Sequence, residues 1–352
     1  LPEPRAVFAV PGELNTPTGG YGYARRMLAE LREAGWDVRH LPLGAGFPDP
    51  DAPTLSNAYR LLSAQPEGVP LLVDGLALGV MPEVGRALGE RRPLVALVHH
   101  PLALESGIGA ARADALRVSE RAALAAARRV VATSKTTART LARDYAVPAD
   151  RIAVAPPGTD PAAAATGSGA GTTQLLSVGT LVPRKGHDLL LAALAPLREL
   201  PWRLTIVGDA TRDPATARAL REAAHDAGLA DRVTFAGAVD AASLSLHYAR
   251  ADLFVLASRH EGFGMAFAEA VARGLAVLGT AAGAIPEAVP AGAGLLVPPA
   301  DVPALTGALR LLLSDNDARR RLADAARAAA DTLPRWRESA AVLAGVLRQA
   351  GE

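Results

Sequence analysis

The 352-residue chain contains no cysteine, which excludes disulfides, thiolate nucleophiles and cysteine-ligated zinc and leaves every redox compartment open. Lysine is nearly absent as well. Lys135 and Lys185 stand against 35 arginines, a bias in keeping with the abundance of alanine, and Lys185 matters only because of where it lies. No run approaches the roughly 20 apolar residues of a membrane span, and Leu1-Pro2-Glu3-Pro4-Arg5 lacks the charged-then-apolar order of a secretory signal. A soluble, cytoplasmic protein is the expectation. There is also no charge excess: the formal net charge is +1, spread evenly over both halves, which gives no electrostatic reason to expect nucleic acid as a partner.

What is present is apolar surface. Hydrophobic residues make up 50% and charged residues 21%, enough for sizeable cores, and the length suits two domains. The opening reads as a strand (6–10), a Gly- and Pro-rich loop, and a helix over 22–34 with Leu28 and Leu31 on one apolar face. Short apolar runs follow at 38–43, 71–73, 94–98, 130–133 and 152–155, most of them separated by helical composition, as in a parallel sheet wound by helices. Residues 161–173 hold no bulky apolar side chain and several glycines, which marks a flexible linker or exposed loop and a domain boundary. The rhythm then restarts, with strands expected at 175–178, 204–207, 233–235, 253–256 and 276–278. Residues 302–350 read as helical, broken at Pro334. The expected domains are 1–160, joined by a returning helix 335–352, and 174–334.

In open α/β sheets ligands bind beyond the carboxyl ends of the strands, and the motifs lie there. Gly19-Gly20 precedes the first helix, where backbone N–H groups can approach an anion; Gly19-Gly20-Tyr21-Gly22 matches neither dinucleotide nor P-loop fingerprints. His99-His100-Pro101 follows the 94–98 run. Gly179-Thr-Leu-Val-Pro-Arg184-Lys185-Gly186 follows the 175–178 run and sets an arginine fork beside a lysine point charge, a pair suited to phosphate. In the stretch from Ser258 to Ala270, Glu261 falls on a loop with Gly262, Phe263 and Gly264, and Glu269 falls inside the following helix. A carboxylate accepts from two vicinal hydroxyls at once, so one can hold a sugar and the other a ribose diol. Ala282-Gly-Ala-Ile-Pro-Glu287 reads as a further strand-end turn, and Asp49-Pro50-Asp51, superficially a D-x-D metal motif, as a solvated loop.

On these motifs, together with Leu204-Thr-Ile-Val-Gly-Asp209, the chain resembles the GT-B fold retaining glycosyltransferases of family 4 (glycosyl transferases group 1) over almost its whole length. The resemblance implies two Rossmann-like doubly wound domains facing across a cleft, with a helical C-terminal tail. It further implies retaining, metal-independent transfer of a hexose-type sugar from a nucleoside-diphosphate sugar to an acceptor hydroxyl, with no cofactor beyond that donor. By the same resemblance Arg184 and Lys185 meet the diphosphate with Gly20, and Glu269 holds the ribose. Glu261 then lies by the transferred sugar with the backbone of Gly262, Phe263 and Gly264. His99 matches the family's sugar-facing histidine best, with His100 as the alternative. Tyr21, Tyr23 and Phe47 are candidate acceptor contacts because aromatics are scarce.

Two other readings share the fold: a nucleotide-sugar epimerase and a non-catalytic nucleotide-sugar-binding subunit. A degenerate subunit would be expected to lose a glutamate or a basic residue, and all four of Arg184, Lys185, Glu261 and Glu269 are present. Peripheral membrane contact through Arg117, Arg121 and Arg128 is not favoured, because Asp114 and Glu120 dilute that face and no aromatic anchors oppose it. Oligomeric state and acceptor are not legible.

Overall fold

The computed structural model describes residues 4–169 and 171–352, so the terminal segment 1–3 and Ala170 of the 161–173 segment lie outside the described residues. By internal contacts the chain forms two units, one of residues up to Gly158 with Pro334–Glu352, the other Thr159–Leu333.

The first unit runs β1 (Arg5–Val10), α1 (Gly19–Glu33), β2 (Asp37–Pro42), α2 (Ala52–Ser63), β3 (Leu71–Asp74), α3 (Gly75–Leu78), α4 (Pro82–Gly89), β4 (Leu94–Val98), α5 (Ala110–Ala125), β5 (Arg129–Ala132), α6 (Lys135–Asp144) and β6 (Ile152–Val154). Its sheet has the order β2-β1-β3-β4-β5-β6, with every pairing parallel. Strands β3 and β4 are buried along their whole length, as expected where helices cover both faces. Helix α1 starts at Gly19, three residues before the sequence suggests. Glycine disfavours helix, but Tyr23, Ala24, Met27, Leu28 and Leu31 bury one face, and that packing outweighs propensity.

The second unit runs β7 (Thr173–Val178), α7 (His187–Leu194), β8 (Trp202–Val207), α8 (Pro214–Asp226), β9 (Val233–Gly237), α9 (Ala241–Arg250), β10 (Leu253–Leu256), α10 (Met265–Ala272), β11 (Ala276–Thr280), α11 (Ile285–Ala288), β12 (Gly294–Val297), α12 (Val302–Ser314) and α13 (Asn316–Ala329). Its parallel sheet has the order β12-β11-β10-β7-β8-β9. Strand β12 is the element the sequence reading lacks. It is a four-residue edge strand, half-buried throughout, so it has neither the length nor the apolar density that marks the others.

Beyond Pro334 the chain returns to the first unit as α14 (Trp336–Gly351). Trp336 packs against Tyr23, ring centroids 5.9 Å apart, and under the Arg26 guanidinium. Arg128 donates to the Ala350 carbonyl at 2.6 Å. That residue lies past the end of α5, so it does not extend a basic face with Arg117 and Arg121. Glu120, read as diluting that face, is buried. None of the described helices is long and apolar enough to cross a membrane.

Within the glycine-rich segment 161–173, residues 165–168 are tied down rather than free. Thr166 and Gly167 N–H groups donate to the Ala249 carbonyl, and Ala165 donates to that of Arg273. Asp252, just before β10, accepts from Ser168 N at 2.9 Å, Ser168 Oγ at 2.8 Å and Gln174 N at 2.7 Å. One carboxylate thus substitutes for the missing apolar contacts, and composition alone does not reveal it. Asp252→Ala should cost about 1–3 kcal/mol in urea unfolding and speed proteolytic cleavage within 161–172; cleavage at the wild-type rate would contradict this anchoring.

Candidate functional site

Each sheet reverses its winding at one point: between β1 and β3 in the first unit, and between β7 and β10 in the second. Loops leaving adjacent strands there go to opposite faces and open a crevice, the usual ligand position in such sheets. Of the second unit's candidate residues, Arg184 and Lys185 fall in the connection after β7, Glu261 to Gly264 in that after β10, and Glu269 in α10.

After β7 the chain makes a short turn at Pro183–Lys185 and enters α7 through Gly186, at φ +65°. A side-chain carbon on Gly186 would run into the Ala257 carbonyl, so only glycine lets the two loops approach this closely. After β10, Gly264 (φ +102°) turns the chain into α10. Gly283 packs against the Glu261 backbone, and Ala284 N donates to the Glu261 carbonyl at 2.9 Å. The turn at 282–287 therefore supports the Glu261 loop from below.

These approaches bring three charged groups together. Lys185 Nζ lies 2.6 Å from Glu261 Oε1, Arg184 Nη1 lies 3.2 Å from Oε2, and Ser258 Oγ donates to Oε1 at 2.7 Å. Arg184 also donates to the His260 carbonyl at 3.0 Å. The Glu261 side chain is 8% exposed, those of Arg184 and Lys185 17% and 16%. Burial alone would raise the Glu261 carboxyl, but the Lys185 and Arg184 charges and the Lys185 and Ser258 hydrogen bonds overcome it and hold the group at about 2. It is ionised throughout the physiological range. Two cations against one carboxylate leave the trio a net charge of +1.

Arg259 binds the two loops to each other. It makes a bidentate pair with Asp188 at 2.8 and 2.6 Å, donates to the Pro183 carbonyl at 2.6 Å, and its N–H donates to the Arg184 carbonyl. His187 is fully buried at the start of α7, and burial pushes its ring down to about 4, so it is neutral. Its Nε2 lies 3.2 Å from the Gly179 carbonyl, which requires the proton there. Phe263 points into the core with Phe254 and Phe267, so at that position only backbone is offered. Glu269, within α10, is half-buried and receives the Tyr248 hydroxyl at 3.0 Å. Burial raises its carboxyl, offset in part by Tyr248 and Arg273.

In the first unit, Gly19 and Gly20 form the first turn of α1, and the His99 ring lies beside Gly20, within 3.6 Å of where a side-chain carbon would start. His99 Nε2 is 3.3 Å from Asp74 Oδ2, while Asp74 Oδ1 accepts from Leu76 N and caps α3. His100 instead meets Glu105 at 3.3 Å. Of the two histidines, His99 stands at the helix mouth. Glu120 fixes the turn that follows, accepting from Leu102 N at 2.6 Å and Ala103 N at 3.2 Å. Tyr23 is fully buried with its hydroxyl on the Ala155 carbonyl, which removes it from the acceptor candidates. Asp51 caps α2 through Thr54 N, and Asp49 pairs with Arg112, so the D-x-D pair serves structure. A cavity of about 320 Å³ in this unit, lined by Pro50, Leu55, Val80 and Leu116 among others, shares no residue with either cluster.

Residues 160–329 match the model described as "Glycosyl transferases group 1", and residues 77–163 that of "Glycosyltransferase Family 4". An MMP alpha-(1->4)-mannosyltransferase from Mycolicibacterium hassiacum is 30% identical over 322 residues, 87% of this chain and 76% of that one. The chain belongs to the glycosyl transferase group 1 family. A D-inositol 3-phosphate glycosyltransferase from Xylanimonas cellulosilytica is 34% identical over 66% of this chain and 60% of its own length. For a Mycobacterium tuberculosis phosphatidylinositol monomannoside mannosyltransferase the figures are 36%, 49% and 47%. The chain thus spans about half to three-fifths of the first curated relatives it matches. Among solved structures, sucrose-phosphate synthase from Thermosynechococcus elongatus superposes with TM-score 0.83 at 23% identity, covering 98% of this chain and 99% of that one. Anabaena HepE in complex with UDP-glucose gives 0.79 at 21%, with the same coverages. The fold of this family member is GT-B.

Arg259, Asp74 and Tyr248 are the site-supporting residues that sequence reading missed in this glycosyl transferase family chain. Arg259 lies within the stretch from Ser258 to Ala270, two residues before Glu261, where nothing local signals its partner Asp188. Asp74 ends an apolar strand, a position that could have been read as a signal.

Removing one partner of a buried ion pair strands the other, at about 3 kcal/mol or more. Lys185→Ala should therefore lose stability as well as any activity. A carboxyl held below its ordinary value of 4.5 contributes stability fully present above that pH and lost as pH falls toward 2. The wild-type advantage over Lys185→Ala in urea unfolding should accordingly be full at pH 7 and shrink below pH 4.5; a constant difference would contradict the ion-pair account.

Proposed function

We propose that the chain is a retaining, metal-independent glycosyltransferase that moves a hexose-type sugar from a nucleoside-diphosphate sugar to an acceptor hydroxyl. The observation that carries this reading is the buried trio at the β7–β10 switch point, two cations sharing one ionised carboxylate. A net positive charge with little water around it is suited to an anion that gains charge during reaction. The leaving nucleoside diphosphate does so as the glycosidic bond breaks. Lys185 and Arg184 strengthen their hold as charge develops on the β-phosphate, which favours the transition state over the bound donor.

Glu261 is the counter-charge that keeps both cations in place, and its loop, Gly262, Phe263 and Gly264, offers backbone to the sugar. Glu269 takes the ribose diol. The first unit's own candidates are Gly19 and Gly20, whose N–H groups at the α1 mouth suit an anion, and His99, its ring set by Asp74, which suits a sugar hydroxyl. The departing phosphate takes the acceptor proton, so no separate nucleophilic carboxylate is required. The family membership supports glycosyl transfer, and the curated relatives named for mannosyl transfer and the HepE complex with UDP-glucose are consistent with a nucleotide-linked hexose.

Heat unfolding in the presence of UDP-, GDP- and ADP-sugars should single out the donor by the rise in midpoint that ligand binding produces. With that donor, and at a temperature where circular dichroism shows the variants folded, Arg184→Ala and Lys185→Ala should each lower turnover by about 10²–10³. Turnover should persist in EDTA. Wild-type turnover in either variant at saturating donor would reject the assignment.

A further inference from the structure

We infer that Tyr248 is a positioning residue for nucleotide recognition, its hydroxyl fixing the Glu269 carboxylate in the attitude that grips the ribose diol. The inference rests on the donor-site reading above and deepens it. Tyr248 lies in the last turn of α9 and is completely buried. Its ring stacks on Phe254, centroids 6.1 Å apart, and the Arg273 guanidinium covers it at 4.5 Å. The phenol therefore has one position, and its oxygen lies 3.0 Å from Glu269 Oε2 and 3.2 Å from the Ala266 carbonyl.

A phenol has one proton to give. Ala266 lies within α10, where a carbonyl already accepts from the helix ladder. Oε2 lies nearer than the Ala266 oxygen and has no ladder donor of its own, so the proton goes there. Among the described residues no group is bonded to Oε1. One oxygen is thus anchored and the other is presented, on a side chain that is only half-buried. A carboxylate oxygen can accept more than one proton, so Oε2 can keep the Tyr248 hydroxyl and take one hydroxyl of a diol while Oε1 takes the other, and a long glutamate side chain fixed at one oxygen loses less freedom on binding.

The same contact opposes protonation of the carboxyl. Burial raises the Glu269 carboxyl, as does Asp160, while Tyr248 and Arg273 lower it. Arg327 of the neighbouring helix α13 turns instead to Gly274 and Asp324. Removing the hydroxyl leaves Arg273 as the one lowering group, so protonation of Glu269 moves to higher pH.

The test uses the whole chain with UDP, GDP and ADP; the tightest binder by calorimetry is then compared with its 2′,3′-dideoxy form. The wild type should prefer the hydroxylated nucleotide. Tyr248→Phe, which keeps the ring and its packing, should reduce that preference about tenfold, leave affinity for the dideoxy nucleotide unchanged, and shift the acid limb of nucleotide binding to higher pH. Adding Tyr248→Phe to Glu269→Gln should have no further effect. Equal weakening of both nucleotides, or an unchanged preference, overturns the role of Tyr248 while leaving the donor site standing. Failure of all three diphosphates to bind the wild type overturns the donor-site reading and this inference together.

Discussion

The Glu261 carboxylate, buried between Lys185 and Arg184, is the constraint on which the second unit's site depends. Two flexible basic side chains would otherwise spread into solvent, and a buried carboxylate without them would be protonated or would disrupt the fold. Each charge makes the others tolerable. Apolar residues often fill such a space without loss of stability, so the retained charges accord with a ligand that needs the cations. Gly186 and Gly283 exist at their positions because the loops there approach the Ala257 and Glu261 backbone, and Gly264 because its φ of +102° turns the chain into α10.

Topology does the coarse placement. The second sheet reverses between β7 and β10, and the first between β1 and β3, so the loops bearing Arg184, Lys185 and Glu261, and the α1 mouth, leave the sheets where neighbouring connections diverge. Fine placement comes from polar clamps. Arg259 joins the β7 and β10 loops through Asp188 and Pro183, Asp74 sets His99, and Glu120 holds the turn after His100. All three clamps use a charged group on a backbone or side-chain partner distant in sequence.

That division explains what could be read from the residues alone. Strands such as 253–256 and 94–98 announce themselves because parallel strands covered on both faces are continuously apolar. The edge strand Gly294–Val297 does not, since one side of it lacks a neighbour and its residues stay half-buried. Arg184, Lys185, Glu261 and Glu269 were legible as chemistry standing at strand ends. Their supports were not, because Arg259–Asp188 and Tyr248–Glu269 are meetings of residues 71 and 21 positions apart, and no local pattern encodes them. Similarly, segment 161–173 looked free because its anchor, Asp252, belongs to another part of the chain. Glu120 read as a surface charge for the same reason: nothing near it in sequence shows the loop it caps.

The most direct test of the central claim is a structure of the chain with its preferred nucleoside diphosphate bound. The account predicts the β-phosphate oxygens within hydrogen-bond distance of Lys185 Nζ and the Arg184 guanidinium, with the ribose hydroxyls on Glu269. A diphosphate seated elsewhere, or held to the protein through a divalent ion, would contradict it.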